Sequence, residues 1–114
     1  MDIGNGTRIS YRAYLDKTIN PQGIHIGSNV EVTSGCSILT HDACRKLKGE
    51  IFIGDNCFIG IRTIILPNVK IGSGVIIGVG SVVTKDIPDN CIAVGNPIKI
   101  IKSDIKCGPY GRLL

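Results

Sequence analysis

Aliphatic residues recur along this chain at an interval of six residues. Twelve of them follow that interval in three runs, and compact side chains stand four positions after most of them. An interval of six fits neither the 3.6-residue period of an α-helix nor the alternation of a plain strand. It is typical of a solenoid in which each hexapeptide supplies one short strand and one turn. The aliphatic residues in this pattern are Ile3, Ile9, Leu15, Ile26, Val32, Ile38, Ile53, Ile59, Ile65, Ile71, Ile77 and Val83.

The pattern predicts an all-β protein, a single-stranded parallel β-helix of about four coils, in one domain over residues 1–114. Three hexapeptides close a coil of about 18 residues, and each coil buries its aliphatics against the next. A longer gap separates Ile38 from Ile53 and predicts a protruding loop at about residues 40–50. After Val83 the six-residue pattern ends. We therefore expect the basic remainder, about residues 86–114, to cover the last coil as a C-terminal cap, because an open solenoid end must be covered.

Composition narrows the class of function. The net charge of +4 is modest and aromatics make up 4% of the residues, which disfavours a nucleic-acid-binding face. The sequence has no apolar run long enough for a transmembrane helix and no secretory signal at its start. The five cysteines are scattered without a CxxC pair, which favours reduced thiols in a cytoplasmic protein and no metal site.

Residues 53–101 closely resemble the signature block of the hexapeptide-repeat acetyltransferases. The upstream motifs LDK, GIHIG and ILTHD resemble the branch that contains sugar and polysaccharide O-acetyltransferases of the galactoside and maltose type. This resemblance implies a left-handed β-helix and a homotrimer with acetyl-CoA bound between neighbouring subunits. It also implies transfer of the acetyl group to a hydroxyl of a sugar or surface-polysaccharide precursor, without a metal.

The same resemblance marks candidate acetyl-CoA contacts. Ile61 stands where relatives often carry a smaller residue, so the resemblance implies a role for its backbone and not for its side chain. Lys99 and Lys102 stand where relatives often carry Arg beside the CoA phosphates, and lysine supplies the charge without the bidentate fork. The full set of matching positions is Ile61, Val79, Thr84, Lys85, Lys99 and Lys102.

His41, at the start of the predicted loop, is the candidate general base. A neutral hydroxyl is a poor nucleophile at pH 7, and an imidazole can remove its proton during attack on the thioester. Asp16 and Asp42 are both candidates to orient His41 or to bind the acceptor. His25, within GIHIG, is expected to face outward as a surface or groove-lining residue.

Several other functions share this fold. A γ-class carbonic anhydrase needs three histidine ligands for zinc, and the chain has two histidines. Serine acetyltransferase is disfavoured because Lys17 stands where its motif would carry a histidine. A nucleotide-sugar N-acetyltransferase and a non-catalytic structural β-helix remain open alternatives, and the sequence does not identify the acceptor.

Overall fold

The aliphatic residues of the six-residue pattern form the core of the molecule. From the second coil onward every one of them is at most 3% exposed. The compact residues four positions later, such as Val30, Cys57 and Ser81, are also buried. Burying one branched aliphatic side chain contributes about 1.5–3 kcal/mol, so the stacked coils are the main source of stability. In the first coil Ile9 and Leu15 are partly buried because no coil lies beneath them in the described chain.

The computed structural model describes residues 1–18, 20–42 and 47–114, with residues 47 and 48 described by their backbone. Three parallel sheets form the sides of a left-handed β-helix. Sheet A contains β1 (Asp2–Ile3), β4 (Ile24–Ile26), β9 (Ile51–Ile53) and β12 (Lys70–Ile71). Sheet B contains β2 (Arg8–Ile9), β5 (Glu31–Val32), β10 (Phe58–Ile59), β13 (Ile76–Ile77), β15 (Ile92–Val94) and, antiparallel at its edge, β16 (Lys99–Lys102). Sheet C contains β3 (Tyr14–Leu15), β6 (Ser37–Ile38), β11 (Ile64–Ile65) and β14 (Val82–Val83).

A two-stranded antiparallel hairpin protrudes between the second and third coils. Its strands are β7 (His41–Asp42) and β8 (Leu47–Lys48). The Gly49 amide donates to the Thr40 carbonyl at 2.8 Å and closes the base of the hairpin. Among the described residues, no helix has the length and apolar character needed to cross a bilayer.

The winding continues beyond Val83, where the six-residue pattern stops. Ile87 forms a parallel bridge with Ile71, and Ala93 pairs with Ile77. Both pairs are separated by 16 residues, two fewer than the 18 that separate Ile77 from Ile59. A shortened turn therefore adds a partial fifth coil that the repeat pattern did not predict.

In the C-terminal segment, β16 lies at the end of the solenoid. Residues 103–114, the strap, then run back along the AB corner, where the chain turns from sheet A to sheet B. The Ile105 amide donates to the Asn90 carbonyl at 3.1 Å, and the Tyr110 amide donates to the Asn29 carbonyl at 2.8 Å. Asn29 and Asn90 both have positive φ, and their own amides donate to the preceding coil. Their carbonyls therefore remain available to the strap.

Tyr110 joins the strap to the first coil. Its hydroxyl donates to the Gly6 carbonyl at 2.6 Å, across 104 residues of sequence, and the guanidinium of Arg8 lies 3.6 Å from its ring centre. Gly111 follows with a φ of 68°, and a Cβ there would lie 2.7 Å from the Phe58 Cβ. Glycine is needed for this close approach.

Tyr110→Ala should lower the free energy of unfolding by about 1–2 kcal/mol, because it removes the hydroxyl contact and the cation–π contact. Since solenoid coils contact mainly their neighbours, amide exchange should accelerate first at Arg8 and Ser10 in coil 1. Chemical denaturation and hydrogen exchange measure the two effects. Tyr11→Ala is the matched control, since Tyr11 is 88% exposed. Equal destabilisation by both variants would show that the strap does not hold the first coil.

Candidate active site

Two interruptions of the repeat lie at the same corner of the solenoid. At this CA corner the chain turns from sheet C to sheet A. Paired residues in coils 1 and 2, such as Tyr14 and Ser37, are 23 residues apart, and Ser37 and Ile64 in coils 2 and 3 are 27 apart. A regular coil takes 18, as between Ile64 and Val82. The extra residues of both coils therefore project from one corner, one above the other.

This stacking brings Asp16 of the first coil to His41 of the second. Nδ1 of His41 lies 2.6 Å from Oδ2 of Asp16. The Asp16 side chain is fully buried, whereas that of His41 is 28% exposed. Because a carboxylate can only accept, Nδ1 carries the hydrogen and Nε2 keeps its lone pair. The pair can thus present an oriented base to solvent.

Asp16 is ionised despite its burial. Burial raises the pKa of the Asp16 carboxyl, but hydrogen bonds from the Thr18 hydroxyl and amide, the Thr40 amide and His41 together hold that pKa well below its usual range. The Thr18 hydroxyl donates at 2.7 Å and the Thr40 amide at 3.2 Å. Asp42, the other candidate, lies beside His41 in β7 and pairs with Leu47 across the hairpin.

Three of the six candidate acetyl-CoA residues lie along the BC corner, where the chain turns from sheet B to sheet C. Ile61 and Val79 occupy equivalent turns of successive coils, and the Gly80 amide donates to the Ile61 carbonyl at 2.8 Å. Their side chains are 45% and 67% exposed. Lys99 begins β16 opposite Val94, where β15 reaches this corner. These residues form a continuous edge along the solenoid axis.

The other three candidates lie elsewhere. Thr84 and Lys85 are exposed and follow β14, so they lie at the CA corner. Lys102 pairs with Ile92 at the opposite end of β16 from Lys99. The register shifts between Ile92 and Ala93, so Ile101 is an extra residue in β16. Lys99 and Lys102 consequently pair with Val94 and Ile92, which are two residues apart and share one face of β15. The structure therefore places Lys99 and Lys102 on the same face of β16, at its two ends.

His25 belongs to a polar cluster on the outer face of sheet A. Its Nε2 lies 3.1 Å from Glu50 Oε1, its Nδ1 contacts Asp2, and its ring stacks on Phe52 at 4.6 Å between centres. The hydrogen bond to Glu50, opposed by partial burial and aided by Asp2, raises the pKa of His25. The outward orientation expected for His25 is present. The sequence analysis did not predict Asp2 or Glu50 as partners of His25. Aligning the repeats would have placed Asp2 opposite His25 in the neighbouring coil.

Sequence reasoning also missed the hydroxyl groups around Asp16. Thr18 could have been found from its position two residues after an aspartate, since an Asp side chain commonly accepts from that amide. Thr40 could not have been found in this way, because its contact with Asp16 arises only from the stacking of coil 2 on coil 1. Within the described residues, no group of three or more His, Cys, Asp or Glu side chains is placed to hold a metal ion.

Hexapeptide units, three parallel sheets and a hairpin at one corner define the chain as a β-helix of the hexapeptide-repeat class. Residues 50–85 match the family described as "Bacterial transferase hexapeptide (six repeats)". The chain belongs to this hexapeptide transferase family.

Similar proteins include named acetyltransferases. The putative acetyltransferase YvoF of Bacillus subtilis is 36% identical over 103 residues, which cover 89% of this chain and 59% of YvoF. A maltose O-acetyltransferase from Clostridium difficile 630 has a TM-score of 0.77 at 39% identity, covering 89% of this chain and 57% of that one. A hexapeptide-repeat acetyltransferase from Vibrio cholerae, solved with acetyl-CoA, has a TM-score of 0.78 at 26% identity, covering 89% and 58%. The chain thus spans a little over half the length of these proteins.

The His25 cluster predicts a pH-dependent part of the stability. Folding raises the pKa of His25. Its contribution to the free energy of unfolding is therefore fully present below the pKa of the unfolded state, about 6.5, and is lost as pH rises through the pKa of the folded state. Since Asp2 and Glu50 side chains are 74% and 54% exposed, the contribution should be about 1 kcal/mol or less. The stability difference between wild type and His25→Gln, measured by denaturation, should shrink between pH 6 and pH 9. Parallel pH profiles would contradict this account.

Proposed function

We propose that this protein transfers an acetyl group from acetyl-CoA to a hydroxyl of a sugar or polysaccharide precursor, with His41 as the general base. The observation that carries the proposal is the 2.6 Å contact between His41 Nδ1 and the buried Asp16 carboxylate. Membership of the hexapeptide transferase family supports acyl transfer, and the similar maltose O-acetyltransferase supports a sugar hydroxyl as acceptor.

The reaction proceeds by direct attack on the thioester. Nε2 of His41 accepts the proton of the acceptor hydroxyl while its oxygen attacks the acetyl carbonyl. Collapse of the tetrahedral intermediate breaks the C–S bond, and His41 returns the proton to the departing thiolate. Asp16 stabilises the imidazolium between these steps because it remains an ionised acceptor at Nδ1.

Acetyl-CoA lies along the BC corner in this proposal. Its pantetheine arm follows the edge formed by Ile61 and Val79, and the backbone N–H of Ile61 faces the oxyanion, as the family resemblance implies. Lys99 continues this edge, because it pairs with Val94 where β15 reaches the corner. Thr84, Lys85 and Lys102 complete the set carried over from the family, as contacts to the remaining pantetheine and phosphates.

The positions of these two groups support a homotrimer. His41 leaves the CA corner and Ile61 lies at the BC corner, at opposite ends of the strands of sheet C. One side of a coil takes about five residues of extended chain, roughly 15 Å, so His41 of one chain would work with Ile61 of the partner subunit. The outer face of sheet C favours such packing, because Tyr14 and Ile64 are 49% and 37% exposed.

Replacing His41 by alanine should lower acetyl transfer by about 10²–10⁴-fold, the usual contribution of a positioned general base. The melting temperature should change little, because His41 lies outside the stacked core. Transfer to a panel of sugars that includes maltose can be followed by mass spectrometry of the acetylated product.

His25→Ala is the matched control, since it removes the chain's other histidine and should leave the transfer rate unchanged. Acetyl-CoA binding, measured by calorimetry, should survive in both variants. If His41→Ala acetylates a verified acceptor at the wild-type rate, His41 is not the base and the mechanism is wrong.

Ile64→Glu should disrupt the trimer by placing a carboxylate on the outer face of sheet C. Phe52→Glu is the matched control, because Phe52 is 39% exposed against 37% for Ile64 but lies on sheet A beside His25 and Lys70. Light scattering should report about 36 kDa, three times 12.1 kDa, for wild type and Phe52→Glu, and a smaller mass for Ile64→Glu. A monomeric wild type at micromolar concentration would overturn the two-chain site.

A further inference from the structure

The two oxygens of the buried Asp16 carboxylate have different partners. Oδ1 accepts from the Thr18 hydroxyl at 2.7 Å and from the Thr18 amide at 3.1 Å, with the Tyr14 hydroxyl at 3.4 Å. Oδ2 accepts from His41 at 2.6 Å and from the Thr40 amide at 3.2 Å, with the Thr40 hydroxyl at 3.4 Å. Thr18 therefore holds one oxygen and leaves the other to His41.

We propose that Thr18 is a positioning residue for acetyl transfer, whose hydroxyl fixes the rotation of the Asp16 carboxylate so that Oδ2 faces His41. This inference rests on the proposed function, because it assigns Thr18 a role through the base named there. Thr18 acts through Asp16 and touches neither His41 nor the reacting atoms in this arrangement.

The distances single out Thr18 among the neighbouring hydroxyls. A hydroxyl bonded to a carboxylate is strong at about 2.5–2.7 Å, and the Thr18 contact of 2.7 Å meets that range. The Tyr14 and Thr40 hydroxyls lie 3.4 Å from their Asp16 oxygens, which is beyond a normal O–H···O bond. The Thr18 hydroxyl is thus the one short side-chain donor to Oδ1 among the described residues.

The position of Thr18 depends on the first interruption of the repeat. Thr18 and Asp16 belong to the turn that leaves the CA corner after coil 1, and amide and hydroxyl of Thr18 converge on the same oxygen. In a regular coil the chain re-enters sheet A at Lys70, five residues after Ile65, whereas after Leu15 it re-enters sheet A at Ile24, nine residues later. This longer turn contains Thr18 and lies directly below the hairpin that carries His41.

Loss of the hydroxyl has a defined chemical consequence. With Oδ1 held by the amide of residue 18 and a long Tyr14 contact, the carboxylate can rotate and protonate more easily, because a buried anion depends on its donors. A rotated or protonated Asp16 no longer holds the hydrogen at Nδ1 of His41. Part of the population then carries that hydrogen at Nε2, where it blocks base catalysis.

The test compares Thr18→Val, which is isosteric and lacks the hydroxyl, with Thr18→Ser, which keeps it. Nitrogen-15 NMR of the histidine rings in the intact protein reports the tautomer of His41. Wild type and Thr18→Ser should show neutral His41 with hydrogen at Nδ1, and Thr18→Val should show a mixture of tautomers. Transfer to maltose, used as the probe acceptor, should lose about tenfold in kcat with KM for acetyl-CoA unchanged.

Thr7→Val is the matched control, because the Thr7 hydroxyl makes a comparable 2.6 Å bond to the Gly27 carbonyl at another corner. It should change stability without changing the His41 tautomer. An unchanged His41 tautomer in Thr18→Val overturns the inference, whatever the transfer rate. If Thr18→Val does not fold, Thr18→Ala, which also lacks the hydroxyl, replaces it, and an unchanged His41 tautomer in that variant overturns the inference.

The two proposals fail in different ways. A wild-type rate in His41→Ala contradicts the proposed mechanism but leaves the effect of Thr18 on Asp16 measurable by NMR. A wild-type protein that does not acetylate maltose argues against that acceptor, and the tautomer measurement still tests Thr18.

Discussion

The stacking of one inward aliphatic per hexapeptide is the constraint on which the whole structure depends. Each strand is two or three residues long in most coils, far too short to be stable alone. Stability comes from aligning Ile53, Ile59 and Ile65 with their counterparts one coil above and below. Since the register is set by these buried contacts, residues can be added only at corners. The position of His41 then follows from the corner at which residues were added.

Both long insertions use the CA corner, and this explains why the candidate site lies there. Asp16 and Thr18 begin the longer turn of the first coil, directly beneath the hairpin, so His41 rests on a buried carboxylate that Thr18 supports. Neither insertion disturbs the coil register, because the paired strands on either side keep their alignment.

The sequence predicted the fold more completely than the site, for a physical reason. Periodic burial is visible in the sequence itself. The aliphatic residues of the six-residue pattern between Ile26 and Val83 were therefore correctly predicted to lie in the core. The bond between Asp16 and His41 joins residues 25 apart and depends on how many residues each corner holds, so Asp16 and Asp42 could not be distinguished. The hydrogen bonds of the strap could not be predicted from the sequence, because the Asn29 and Asn90 carbonyls that accept them belong to turns of different coils that are brought into line only by the stacking.

The outer faces of the solenoid differ in the polarity of their exposed side chains and in what covers them. Sheet A presents Asp2 and His25, which contact each other, and Lys70, whose ammonium group lies over the Phe52 ring. The strap occupies the AB corner and reaches Phe58 on sheet B. Sheet C, with Ile64 and its two flanking corners, remains as the largely apolar surface. Because those two corners carry the proposed base and the candidate acetyl-CoA edge, burying sheet C between chains would bring His41 and Ile61 together in the same step that stabilises the proposed oligomer.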